Sequence, residues 1–176
     1  MNSIYLKFTI FVLISFSVII LSFQTRELTP KEIESLFDML KTLKNTPYVW
    51  GGNNNLGIDC SGLLVYLLNN LGFKKFVYKN SLVYDLTADN LYRYNTKKIK
   101  NIRELEKGDI IFFDMNEDGT FDHMVIFESF DKYGNIWVWD SAEMPDGIHQ
   151  NKVDRRRLSL IDARRYAIGR ILVLTD

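Results

Sequence analysis

The 176-residue chain holds a single cysteine and two histidines. Cys60 sits between Tyr48-Val49-Trp50-Gly51-Gly52, with a polar stretch from Asn53 to Ile58, and the run Ser61-Gly62-Leu63; Asp59 directly precedes it. The chemistry open to such a residue is nucleophilic attack by a thiolate. That needs something to stabilise the anion and something to take the proton. Asp59 is a good helix N-cap, Leu63-Leu64-Val65-Tyr66-Leu67-Leu68 is apolar, and Gly72 is a stop signal. Cys60 therefore falls in the first helical turn, where unpaired backbone N–H groups and the helix dipole favour an anion. A lone cysteine is more often a small buried hydrophobe. The Gly-Gly turn, the flanking Asp and Ser, and the helix start favour a nucleophile here. His123 opens the apolar stretch Met124-Val125-Ile126-Phe127 and is the candidate base. His149 lies beyond a loop with Pro145 and Asp146, with no strand register to tie it to His123.

Taken together, Tyr48-Val49-Trp50-Gly51-Gly52 and Asp59-Cys60-Ser61-Gly62-Leu63 resemble the NlpC/P60 family of cell-wall peptidases, and the likeness runs from about Pro47 to the C-terminus. Leu105-Glu106-Lys107-Gly108-Asp109 and Asp122-His123-Met124-Val125-Ile126 match more loosely. Val125 stands where the family usually has glycine, which adds bulk near the site. The resemblance implies a papain-like α+β fold, with the nucleophile helix packed on an antiparallel sheet. It implies a cysteine endopeptidase without cofactor, acting on peptidoglycan stem peptides, typically between D-glutamate and the diamino acid. Cys60 would be the nucleophile and His123 the base. Asp140 matches the third position, where the family usually has a histidine.

Strand geometry agrees with Asp140. A two- or four-residue turn near Asp131 to Gly134, with its tip at Asp131-Lys132, sets Asp140 directly across from His123 on one face, and a shifted tip makes the pair diagonal. Asp140 shares a face with Ile136 and Val138, so its carboxylate needs a partner. The Cys60 backbone N–H and the Tyr48 hydroxyl would meet the oxyanion. Asp59 and Ser61 would support the site, and Trp50 and Gly51 would touch substrate. On this reading Asp140→Asn is milder than Asp140→Ala. Two other readings share these residues: an amidase or acyltransferase on another amide or acyl substrate, and a non-catalytic wall-binding domain. Intact Cys60 and His123 argue against the last.

The elements that must position these residues are partly legible. Thr29-Pro30-Lys31-Glu32 starts a helix, and Ile33, Leu36, Phe37, Leu40 and Leu43 recur on one face, which predicts an amphipathic helix over 30–44. Thr87 to Tyr94 reads as a short helix carrying Leu91. Strands are expected at Ile110–Phe113, His123–Phe127, Ile136–Asp140 and Arg165–Leu174. Helices first and antiparallel strands after argue α+β.

Twenty-two basic and 22 acidic residues balance, so no general nucleic-acid surface is indicated. No Cys-x-x-Cys or His/Cys cluster suggests zinc. Asp114 to Asp122 has calcium-loop spacing but lacks the closing glutamate, and an Asp/Asn/Gly-rich turn needs no metal. Arg155-Arg156-Arg157 and Arg164-Arg165 read as a solvated face or as partners of substrate carboxylates. Phe8 to Phe23 is uncharged and apolar and fits a secretory signal, so residues 1–25 are a signal peptide or an inner-membrane anchor and 26–176 the catalytic domain. Either fate places the domain in the periplasm or cell envelope. A lone cysteine there has no internal disulfide partner, which suits a working thiol.

Overall fold

The computed structural model describes residues 23–142, 151–158 and 165–175. In chain order the elements are β1 (Thr25–Glu27), α1 (Pro30–Leu43), β2 (Asn53–Asn54), β3 (Gly57–Ile58), α2 (Cys60–Asn70), β4 (Phe76–Tyr78), β5 (Ser81–Val83), α3 (Ala88–Tyr94), β6 (Thr96–Ile99), β7 (Ile110–Phe113), β8 (His123–Phe130), β9 (Ile136–Ala142), β10 (Lys152–Leu158) and β11 (Tyr166–Leu174). The main sheet runs β1-β11-β7-β8-β9-β10, all antiparallel. β6 pairs with Ile168 to Ile171 of β11 and β1 with Leu172 to Leu174, so the two divide one edge of that strand.

α2 is the central helix. Leu63, Leu64, Leu67 and Leu68 are fully buried, and Gly62 and Val65 are buried with them. A helix apolar around so much of its circumference must be enclosed. α2 packs against α1, α3, β8 and β9. Complete burial of one such leucine contributes roughly 1.5–3 kcal/mol. The helix ends in a Schellman motif: Phe73 N–H donates to Leu68 O at 2.9 Å and Gly72 N–H to Asn69 O at 3.1 Å. Gly72 takes φ +102°, which favours glycine.

α1 covers α2 through Leu36, Phe37, Leu40 and Leu43. Its start is a capping box. Thr29 Oγ1 accepts the Glu32 N–H, and Glu32 Oε2 accepts the Thr29 N–H at 2.7 Å. Glu32 also takes a two-pronged bond from Arg26, each prong 2.8 Å, which fastens β1 to the helix.

The sheet is apolar on both faces. Ile110, Phe112, Met124, Ile126 and Trp139 join the helices in one cluster. Ile111, Phe113, Val125, Phe127 and Val138 form a second. Period-two alternation sends neighbours to opposite faces, and near-continuous apolar strands are its sequence sign. Val125, expected to crowd the site, is 2% exposed within the second cluster and does not line the cleft described below. The expected strands at Ile110–Phe113, His123–Phe127 and Ile136–Asp140 are present, the last two running on to Phe130 and Ala142. β1 begins at Thr25, and Thr175 N–H donates to Gln24 O at 3.0 Å, so the sheet takes in residues at the expected leader boundary. The apolar run from Phe8 lies, Phe23 apart, outside the described residues. Among the described residues, no helix is long and apolar enough to cross a membrane.

Candidate active site

The glycine-rich loop and α2 are locked by the Asp59 carboxylate. Its Oδ1 caps the helix, accepting Gly62 N–H at 2.6 Å and the Ser61 hydroxyl at 3.2 Å; its Oδ2 accepts Gly51 N–H at 2.9 Å. Gly51 has φ +71°, a left-handed turn that favours glycine. Asp59 N–H closes on Gly52 O at 2.9 Å. That carbonyl lies so near α2 that a Cβ on Gly62 would fall 2.0 Å from it. The glycine at each end of the motif is thereby explained, Gly51 by its left-handed turn and Gly62 by close backbone approach. Tyr48 is anchored on two sides, its N–H donating to Asn151 O at 2.9 Å and its backbone bridging Ile58. The buried Ser141 hydroxyl of β9 donates to Ile58 O at 2.7 Å and ties the loop to the sheet.

Cys60, at the first position of α2, opens onto a cleft of about 580 Å³. Tyr48, Trp50, Gly51, Asp59 and Ser61 line the same cleft, with Trp50 84% exposed at its mouth. The opposite wall comes from 85–90, including Asp85, Asp89 and the N-cap Thr87, and from Phe121 and Asp122. The Cys60 sulfur is 3.9 Å from the Asp122 carbonyl oxygen.

Behind the cysteine stands His123, at the start of β8, its ring parallel-stacked near Phe113 at 6.3 Å between centroids. Its Nε2 is 3.3 Å from Asp140 Oδ2. The remaining ring nitrogen, Nδ1, is the one left for Cys60, whose side chain favours the charged imidazole. Burial works against charge on the imidazole, but the bonds and charges of Asp140 and Cys60 outweigh it and raise its pKa from 6.5 to about 9. Asp140 is buried, and its second oxygen accepts from Arg156 Nε at 2.6 Å.

His123 and Asp140 are not directly opposed. The β8–β9 turn is five residues, Asp131 to Asn135, between the paired Phe130 and Ile136, and the register shifts between Phe127 and Ser129. Beyond the shift Ile126 faces Trp139, and continuing that register sets His123 opposite Ala142 and diagonal to Asp140, on the same face.

A model of the NlpC/P60 family matches residues 45–159. The chain belongs to the NlpC/P60 family. Among its relatives, Escherichia coli YafL, named a probable endopeptidase, is 34% identical over 82 residues, 46% of this chain and 30% of that one. The murein DD-endopeptidase MepH of Escherichia coli is 33% identical over 82 residues, 46% of this chain and 27% of MepH. The match thus spans less than a third of either relative. A lipoprotein-like NlpC/P60 protein from Staphylococcus aureus superposes with a TM-score of 0.59 at 20% identity, covering 87% of this chain and 45% of that one. The NlpC/P60 domain of the peptidoglycan hydrolase SagA does so with a TM-score of 0.54 at 19% identity, covering 77% of this chain and 97% of that domain. These likenesses establish the papain-like α+β fold.

Within that NlpC/P60 framework the structure gathers Cys60, Tyr48, Trp50, Gly51, Asp59 and Ser61 around the cleft and sets His123 and Asp140 behind the thiol. His149 and Arg164 lie outside the described residues. The reading of the arginines as substrate partners does not hold where they are described. Arg155 pairs with Glu128, Arg156 with Asp140 and Arg165 with Asp114, and none of Arg155, Arg156, Arg157 and Arg165 lines the cleft. Sequence reasoning missed the role of Arg156, whose partner is fixed by a register that no motif encodes, and the acidic wall of Asp85 and Asp89. In the loop with calcium-like spacing, the Asp114 carboxylate accepts the N–H groups of Asp118 and Gly119 at 3.1 and 3.0 Å and pairs with Arg165. Its oxygens serve the turn itself.

Proposed function

We propose that the protein is a cysteine endopeptidase of peptidoglycan stem peptides, working through Cys60, His123 and Asp140. The observation that carries this is the imidazole of His123, 3.3 Å from the Asp140 carboxylate and next in the chain to Asp122, whose carbonyl oxygen is 3.9 Å from the sulfur of a cysteine that opens on a cleft. The relative named a murein DD-endopeptidase supports a cell-wall substrate.

The chemistry follows from the geometry. His123 takes the thiol proton on Nδ1, giving a thiolate at the N-terminus of α2 beside an imidazolium held by Asp140. The sulfur attacks the scissile carbonyl, and the charge that develops on oxygen meets the Cys60 backbone N–H and the Tyr48 hydroxyl. As the intermediate collapses, Nδ1–H protonates the leaving amine and a thioester remains. Water, deprotonated by the now neutral imidazole, hydrolyses the thioester and restores the thiol. The bond we assign is D-glutamyl–diamino acid, on the family resemblance of the two glycine-bearing motifs. The reading includes export, with residues 1–25 as signal or anchor bringing the domain to the envelope where this substrate is found.

Digestion of purified muropeptides, with products weighed by mass spectrometry, tests the proposal. Fragments cut between D-glutamate and the diamino acid are expected from the wild type and none from Cys60→Ala. Cleavage at another bond would keep the endopeptidase and reject the bond. An intact substrate, or full cleavage by Cys60→Ala, would reject the mechanism.

A further inference from the structure

We propose that Arg156 is a positioning residue for the reactive pair: its guanidinium holds one oxygen of Asp140 so that the other stays aimed at His123 whether or not His123 carries a proton. This rests on the reading of Cys60, His123 and Asp140 given above.

The argument starts from burial. Asp140 is 6% exposed, and a buried carboxylate is tolerated only when paired. His123 is a charged partner only while it is imidazolium. In the half-reaction where it gives its proton to the leaving amine it becomes neutral, and Asp140 would then be a lone buried anion. That would penalise the proton transfer itself. Arg156 keeps its charge at every working pH, so the carboxylate stays paired throughout the cycle.

The geometry suits that role. Arg156 Nε donates to Asp140 Oδ1 at 2.6 Å, while Oδ2 is the oxygen 3.3 Å from His123 Nε2. Each oxygen thus has its own partner. Arg156 is itself fixed, its Nη2 donating to Lys152 O on the same strand at 2.8 Å. Asp154 of β10 stands opposite Asp140 in the ladder, but its carboxylate lies toward Lys44 and Lys152, at 3.4 and 3.9 Å.

The charged groups around the pair are therefore Asp140 on β9, His123 on β8, Cys60 on α2, and Lys152, Asp154 and Arg156 on β10. The Asp122 carboxylate, next to His123, accepts from Met115 N–H and the Asn116 amide. Glu128 of β8 is taken by Arg155. With thiolate and imidazolium formed, Cys60, His123, Asp140 and Arg156 together carry no net charge. Removing Arg156 leaves an excess negative charge, which raises the proton affinity of the thiol and of the imidazole alike.

Because Cys60 is the only cysteine, alkylation of the full chain by iodoacetamide reads this pair without any substrate. The rate against pH should show two steps, which belong to the coupled pair. In Arg156→Gln both steps should move up by about one pH unit. In Arg156→Lys the charge remains and the fork is lost, so the steps should stay near wild type while the plateau rate falls several-fold. Melting curves taken alongside separate folding from tuning. A folded Arg156→Gln whose steps coincide with wild type overturns the proposal. Should that variant not melt cooperatively, Arg156→Lys decides: a wild-type plateau rate in it overturns the proposal equally. If wild-type muropeptide digestion fails while the alkylation steps shift as stated, the substrate assignment falls and the role of Arg156 stands.

Discussion

Replacing Asp140 with asparagine should be far more damaging than an isosteric change suggests, and Arg156 is the reason. A guanidinium can only donate, so the new amide must turn its oxygen toward Arg156, into the place where Oδ1 now accepts at 2.6 Å. Its NH2 then occupies the Oδ2 position, 3.3 Å from His123 Nε2. Two donors cannot face each other, so Nε2 must become the acceptor and the ring proton moves to Nδ1, the nitrogen that faces Cys60. That tautomer cannot take the thiol proton, and the imidazolium loses its anion. The rise of the His123 pKa from 6.5 to about 9, shared among Asp140, Cys60 and opposing burial, is on the order of 3 kcal/mol in favour of imidazolium. Losing most of it costs about two orders of magnitude in rate, and the wrong tautomer takes the loss toward about 10⁴-fold. The loss should fall on kcat, with KM within a few-fold, because Asp140 is buried and does not line the cleft. Asp140→Ala should be no slower but less stable, since it strands Arg156. This reverses the order expected from the sequence alone. In Asp140→Asn/Arg156→Gln the amide is free to turn, and about ten-fold of the rate should return. Muropeptide cleavage with melting curves measures all three. An Asp140→Asn enzyme within ten-fold of the wild-type kcat would refute the reasoning.

Two further outcomes follow from the framework around the site. Gly62→Ala would place a methyl 2.0 Å from the Gly52 carbonyl oxygen, so the loop must move away from α2; we expect a lower melting temperature and a kcat loss of roughly 10²-fold, and wild-type activity would show that the close approach is dispensable. The two-pronged bond from Arg26, helped by the Thr29 backbone and hydroxyl, holds the Glu32 carboxyl at about 2 instead of 4.5, so its stabilisation is complete above pH 4.5 and fades as pH falls toward 2. Glu32→Gln should therefore lower stability by about 1–2 kcal/mol at pH 7 and by much less at pH 3, and equal losses at the two pH values in thermal melts would contradict the assignment.

What could be read from the sequence is what local chemistry decides. α1, α2 and α3 begin at side-chain caps, Thr29, Asp59 and Thr87, each bonding the backbone three residues on. β7, β8 and β9 are apolar runs, and β11 alternates. β10, Lys-Val-Asp-Arg-Arg-Arg-Leu, gives no such signal, because an edge strand rich in charge owes its form to the strand beside it. Its arginines look like one basic patch, yet alternation turns Arg155 toward Glu128 and Arg156 toward Asp140. β4, β5 and β6 are three or four residues of pairing between loops, fixed by tertiary contacts such as the Asn95 side chain, which bonds both the N–H and the C=O of Val77 at 2.9 Å.

The relation between His123 and Asp140 turns on one residue outside every motif. With Phe130 paired to Ile136, a regular ladder would pair residues of equal parity, and His123 and Asp140 would then lie on opposite faces of the sheet. The expected even-length turn would have avoided this, but the turn has five residues. The correction is made inside β8, where the register shifts between Phe127 and Ser129 and leaves Glu128 as the extra residue. From there to the strand start the parity is reversed, and His123 comes round to the face of Asp140. Glu128 is held in place on both sides: its carboxylate pairs with Arg155 and accepts the Trp139 indole N–H at 3.3 Å. Arg155 lies in turn over the Trp137 ring, 4.1 Å from its centroid. The adjacent arginines of β10 thus serve the same end from opposite faces, Arg155 by fixing the bulge that brings the acid to the histidine's face and Arg156 by fixing the acid itself. The motifs carry the proposed nucleophile and base, while the proposed third member is brought to them by a bulge and an edge strand, and both are properties of pairing that a single strand read alone does not contain.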